Sequence, residues 1–188
     1  TELYNGSAWT EVNNLGTARH FFGGGGIYTS GIAAGGYTTG QVALSESWNG
    51  TSWTETSDLN NARSTAGFGA VSNTAAVAFG GNPSGSPTNS DYTESWNGSS
   101  WTEVAELNTG RNQLAGSGAS NTSALGFGGG GAVAITEIWD GSSWTEIGDM
   151  STGREALSSS QSSPAFDALA FGGGPTDSNA TEEWTFTH

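Results

Sequence analysis

Thr93-Glu94-Ser95-Trp96-Asn97-Gly98-Ser99-Ser100-Trp101-Thr102-Glu103 is a segment that the chain repeats. Copies stand at Thr1–Glu11, with Tyr4 in place of the first Trp, at Ser45–Glu55 and at Thr136–Glu146. A shortened fifth copy is Thr181–His188. Self-similarity at a near-fixed period decides the architecture before any local reading does. The second Trp of each copy is Trp9, Trp53, Trp101 and Trp144, giving spacings of 44, 48 and 43 residues. Four units, about 1–43, 44–91, 92–134 and 135–188, therefore account for all 188 residues as one domain.

Each unit reads as short strands. No stretch carries apolar residues at helical spacing, and Gly, Ser and Thr dominate, which are poor in helix interiors. In the third unit Gln113–Ser120 is a strand of small residues, Asn121-Thr122-Ser123 a turn, and Ala124–Phe127 a second strand ending in Gly128-Gly129. Ile135–Trp139 and Ser143–Ile147 follow as a third and fourth strand around Asp140-Gly141. Asn-Gly and Asp-Gly are strong hairpin signals, and a type I′ turn is the form they favour.

The two Trp of a copy are five residues apart, so a hairpin loop of two or four residues puts both on one face. Trp96 and Trp101 then share a face with Glu94 and Glu103, while Ser95 and Thr102 face away. Trp9, Trp48, Trp53, Trp96, Trp101, Trp139, Trp144 and Trp184 are thus expected between neighbouring sheets. There they supply the core that so much Gly and Ser cannot.

Helix-free, four-stranded antiparallel units at this period predict an all-β fold, a four-bladed β-propeller with radially packed blades. The strands Phe21–Gly26, Ala66–Ser72, Leu114–Ser120 and Ala156–Ser162 are crowded with Gly, Ala and Ser, as strands nearest a tight axis must be. The chain resembles the kelch-repeat family in three features. These are the Leu-x-x-x-Arg lead-in (Leu15–Arg19, Leu59–Arg63, Leu107–Arg111, with Met150–Arg154 in the fourth), the Gly-Gly closing the second strand, and the aromatic–Trp pair after it. The wording of the repeats also resembles kelch-like repeats of marine bacteriophage structural proteins. Four blades are fewer than kelch propellers usually have.

Rings of this type are latched by strands from both termini, because an open ring exposes strand edges. The last blade is expected to take its outer strand, Ser7–Val12, from the N-terminus. Its third-strand place has two claimants, Thr1–Asn5 and Thr181–Phe186. The surplus strand either frays in a closing blade or adds to a neighbouring molecule and builds a fibre.

Composition narrows the function classes. Eighteen acidic residues against four Arg and no Lys give a formal charge of −14. Nucleic-acid binding, which needs Lys and Arg to neutralise phosphates, is disfavoured, as is adhesion to anionic membranes. No apolar run reaches the roughly 20 residues of a membrane span. The absence of Cys removes disulfides and thiolate metal sites. The acidic, lysine-free surface points to an extracellular or marine setting. A start at Thr1 rather than Met reads as a processed product or a fragment.

Arg19, Arg63, Arg111 and Arg154 occupy equivalent positions. They are either a ring of guanidinium groups that grips an anion or, on the weight of their regular recurrence, structural groups bonded to carbonyls or Glu. Sequons at Asn5, Asn49, Asn97, Asn121 and Asn179 are acceptors for glycosylation on a secreted chain, although turn chemistry also accounts for them. The copper oxidase branch of the kelch family uses Cys, Tyr and His ligands, and here there is no Cys and only His20 and His188. No catalytic residue, cofactor or metal is expected.

Variation among repeats tends to mark the binding face. The loops after Gly-Gly vary and lie on the face of the Arg lead-ins, so Tyr37, Asn82, Ser84, Asn89, Asp91, Asp177 and Asn179 form the candidate binding surface. The expectation is a non-enzymatic structural or adhesive module of an extracellular or virion-associated fibre, with self-association or neighbouring fibre subunits as partners. The alternative is a stand-alone lectin that binds a glycan or host-surface receptor through the variable loops.

Overall fold

The computed structural model of the chain describes residues 1–85, 89–160, 167–176 and 178–185. Those residues form strands and no helix. An N-terminal hairpin joins β1 (Glu2–Tyr4) to β2 (Trp9–Glu11). The first larger sheet is β3 (Gly23–Ile27), β4 (Ser30–Ala34), β5 (Ser45–Trp48) and β6 (Trp53–Glu55). After the two-residue β7 (Arg63–Ser64) comes the second sheet, which starts with β8 (Gly67–Ser72) and β9 (Ala75–Phe79). The two-residue β10 (Asn82–Pro83) pairs with β7, and β11 (Thr93–Trp96) and β12 (Trp101–Val104) complete the second sheet. The third is β13 (Ala115–Ser120), β14 (Ser123–Phe127), β15 (Thr136–Trp139) and β16 (Trp144–Glu146). The last is β17 (Ser158–Ser159), β18 (Asp167–Phe171) and β19 (Thr181–Thr185). All ladders are antiparallel, and the four larger sheets are meanders. Each of the first three larger sheets spans the join between two sequence units, and the last lies within the fourth unit.

The expected face assignment is present. Trp96 lies opposite Trp101, and Glu94 opposite Glu103, while Ser95 pairs with Thr102 on the other side. The loop between them differs from a type I′ turn. It is four residues long, and only its Gly has positive φ, at 95° for Gly98. The Asn97 side chain closes it by accepting from the Ser99 and Ser100 amides at 3.0 Å each. Asn5, Asn49 and Asp140 do the same. A side-chain acceptor replaces the backbone geometry that a two-residue turn would demand.

The first strands of successive sheets stand side by side and close. A Cβ on Gly25 would meet the Ala70 carbonyl at 2.7 Å, and one on Gly116 would meet the Phe68 amide at 2.4 Å. Apolar clusters fill the gaps between sheets. Ile32 and Ala34 of the first sheet pack with Phe68, Ala70, Trp96 and Trp101 of the second. Val77 and Phe79 of the second pack with Leu114, Trp139 and Trp144 of the third. Leu125 and Phe127 of the third pack with Leu157, Ala168 and Ala170 of the last.

The terminal latch is not among the described ladders. β2 pairs with β1 alone, and β19 with β18 alone. The N-terminal hairpin stands instead on the first sheet, where the Trp53 indole N–H donates to Thr1 Oγ1 at 2.8 Å and Asn13 Nδ2 to the Thr51 carbonyl at 2.9 Å. The strand expected over Ala156–Ser162 is described only as Ser158–Ser159, and residues 161–162 and Phe186 lie outside the described residues.

Candidate functional site

The four Arg are clamps. Each lead-in Arg pairs with the Glu of the third strand in the sheet it enters: Arg19 with Glu46 at 2.5 Å, Arg63 with Glu94, Arg111 with Glu137, and Arg154 with Glu182 at 2.7 Å. Most of their other hydrogen bonds go to carbonyls, while Nε of Arg19, Arg63 and Arg154 is buried without a partner among the described residues. Arg63 donates to the Gly80 and Tyr92 carbonyls, and Arg111 to those of Gly126, Gly128 and Thr109. The second carboxylate oxygen accepts from the lead-in backbone, from Gly16, Asn60, Asn108 and Ser151 in turn. Burial pushes the Arg63 guanidinium below its ordinary value, against the pull of Glu94. These groups are committed inside the fold and do not form an anion-gripping ring.

Two indole positions repeat with fixed partners. In three copies the first Trp reaches the neighbouring inner turn, with Trp48 donating to the Tyr28 carbonyl, Trp96 to that of Asn73 and Trp139 to that of Asn121, while the buried Trp184 indole N–H has no partner among the described residues. The second Trp reaches back to a hydroxyl that opens the third strand of the preceding sheet or hairpin. Trp53 donates to Thr1, Trp101 to Ser45 at 3.0 Å and Trp144 to Thr93 at 2.9 Å. Trp48, Trp96, Trp101, Trp139 and Trp144 are buried, and Trp53 and Trp184 are half-buried. Trp9 departs from the expectation: it is 66 % exposed beside Tyr4, because among the described residues no sheet covers that side of the N-terminal hairpin.

The last sheet has no fourth strand among the described residues, and the place of its second Trp is a cavity. Leu125, Phe127, Thr136, Met150, Ala170 and Trp184 are among its walls, and its volume is about 80 Å³. Phe127 and Thr136 correspond to Phe79 and Thr93, the ring partner and hydroxyl acceptor of Trp144. Beyond it, Leu169 and Phe171 are 41 % and 40 % exposed, although their counterparts Val77, Phe79, Leu125 and Phe127 are buried.

The lead-ins of all four larger sheets meet around one further cavity of about 530 Å³. Two residues past each Arg stands a non-glycine residue with positive φ: Phe21 at 55°, Thr65 at 54°, Gln113 at 53° and Ala156 at 51°. A backbone chain links them, with the Thr65 amide donating to the Phe21 carbonyl, Gln113 to Thr65 and Ala156 to Gln113, at 2.9, 3.0 and 2.9 Å. Left-handed conformation at four non-glycine residues is costly and persists only where the surroundings hold it.

Of the residues expected on the binding face, Tyr37 and Asn82 line this cavity. Ser84, Asn89 and Asp91 line a separate groove with Asn60, Asn61 and Tyr92. Asn179 is exposed and lines neither, and Asp177 lies outside the described residues. Sequence reasoning missed Phe21, Thr65 and Gln113. Their signal was variation two places after an invariant Arg, on the edge of strands read only as packing. Among the sequon residues Asn5, Asn49, Asn97 and Asn179 are exposed and Asn121 is half-buried. No protein-family model matches this chain, and no curated protein matches it.

Proposed function

We propose that the chain is a kelch-like β-propeller module of four blades, non-enzymatic, that serves as a structural and adhesive unit of an extracellular or virion-associated fibre. The observation that carries this reading is the pairing of a vacant indole place on the last sheet with Trp9, exposed on a strand of the missing type. Equivalent places hold Trp101 and Trp144 elsewhere in the chain.

Strand inventory supports a joint between copies. Among the described residues five strands are of the third kind (β1, β5, β11, β15, β19) and four of the fourth (β2, β6, β12, β16). β1 and β19 claim the same edge of β2: Tyr4 lies opposite Trp9 now, and Trp184 takes that position if β2 moves to β19. Whichever of β1 and β19 is displaced is free to add to a neighbouring copy by strand pairing. Such a contact is heterologous and propagates head to tail when it does not close. Formed within one chain, the same joint closes the ring.

Electron microscopy and sedimentation velocity of the purified chain test this reading. Wild-type protein is expected to grow with concentration into filaments, and Trp9→Ala to stay monomeric. A wild type that remains monodisperse at every concentration would sink the fibre reading.

A further inference from the structure

We infer that the cavity where the four lead-ins meet binds an uncharged sugar ring. Among the described residues its walls carry no carboxylate and no guanidinium, in a chain of formal charge −14. A phosphate or a metal ion finds no counter-charge there. The polar groups are amides and hydroxyls: Gln41, Asn82, Asn112 and Gln113, with Ser64 and Thr65. An amide offers a donor and an acceptor side by side, which matches adjacent sugar hydroxyls. A wholly apolar ligand would bury those amides without partners, at a cost.

The aromatic half of the match is Phe21 and Phe22, 62 % and 41 % exposed, with Tyr37 beside them. The Phe22 ring carries the Arg19 guanidinium 5.5 Å from its centroid, and exposed aromatic faces suit the C–H face of a pyranose. A volume of about 530 Å³ falls among small-molecule sites, which run from about 300 to 1,000 Å³.

The frame repeats and its side chains differ. Phe21, Thr65, Gln113 and Ala156 share one backbone conformation and one chain of hydrogen bonds, yet present a ring, a hydroxyl, an amide and a methyl group. A constant scaffold with varied side chains is the arrangement a recognition site uses. The inference rests on the meeting of the lead-ins and not on self-association, so it stands or falls separately from the fibre reading.

Saturation-transfer NMR tests it, on wild type and on Trp9→Ala, with methyl glycosides of glucose, galactose, mannose and N-acetylglucosamine, and with an uncharged tetrapeptide. At least one glycoside is expected to bind, and Phe21→Ala and Gln113→Ala to weaken it at least about tenfold, about 1.4 kcal/mol. Both variants place at 21 or 113 the residue that the last lead-in already carries at 156, so the backbone conformation is retained. Circular dichroism verifies that they fold. No transfer to any glycoside up to about 10 mM, transfer to the peptide alone, or glycoside binding unchanged in both variants overturns the inference.

Discussion

Glu94 holds two segments at once: one carboxylate oxygen pairs with Arg63 and the other accepts from the Asn60 amide and side chain, at 2.7 and 2.8 Å. Both side chains are sealed from solvent, at 1 % and 0 % exposure. Removing one member of a buried pair strands the other charge, which costs about 3–5 kcal/mol. Glu94→Ala is therefore expected to lower stability by about that amount in urea unfolding. Glu182, 24 % exposed in the equivalent pair, is expected to cost less on the same change. Equal losses at the two positions would contradict the clamp account.

Gly80 is expected to reject a side chain on two grounds. Its φ is +64°, and a Cβ would stand 2.5 Å from the Arg111 carbonyl. Its neighbour Gly81 donates its amide to that same carbonyl at 2.9 Å, so the segment cannot back away. Gly80→Ala is predicted to cost at least about 1–2 kcal/mol, while Gly40→Ala, with nothing near its Cβ, is predicted to be close to neutral. Thermal melts of the two variants decide this.

Much of this was legible in the sequence because the determinants are local. The five-residue gap between Trp96 and Trp101 gives them a common face with an even hairpin loop, and the Gly-Gly pairs mark the end of each second strand. The Arg positions read as structural from their recurrence, while their Glu partners, 26 to 31 residues away, depend on which strands pair. The turn type did not read correctly, because Asn97 acts through its side-chain oxygen and not through a left-handed backbone. Of the lead-in cavity only Tyr37 and Asn82 were named from the sequence, since it exists only where four distant segments converge.

Acid should loosen one hairpin before its fellows. The amides of Ser143 and Ser142 hold the exposed Asp140 carboxyl down at about 2. A lowered carboxylate contributes stability above its unfolded value near about 3.9, and that contribution fades as pH falls towards about 2. NMR titration is expected to show the Ser142 and Ser143 amides losing protection over that window. Asp140→Asn, which restores the residue of the other copies, is expected to abolish the dependence. An unchanged profile in that variant would remove Asp140 as its source. Glu182 adds to the acid response in the same direction: burial pushes it up, but the Ser151 amide and Arg154 outweigh burial and hold it low.

The two positions of the second Trp should separate stability from association. Trp144 is 6 % exposed against Phe79, so Trp144→Ala is expected to cost about 3–5 kcal/mol. Trp9→Ala removes an exposed ring and is expected to leave the unfolding midpoint of the monomer unchanged while abolishing growth in size. A large loss of monomer stability from Trp9→Ala would place that ring in the core of its own chain.

The most direct measurement is a designed cross-link between β2 and β19. With β2 on β19 in the register of the other hairpins, Thr10 lies opposite Glu183, as Thr102 does Ser95. Both positions are exposed, and the chain has no Cys of its own, so Thr10→Cys with Glu183→Cys forms the one disulfide available. Non-reducing electrophoresis after mild oxidation is predicted to show a ladder of covalently joined chains. A product of single-chain size, linked or unlinked, at concentrations where filaments form would contradict the joint between copies.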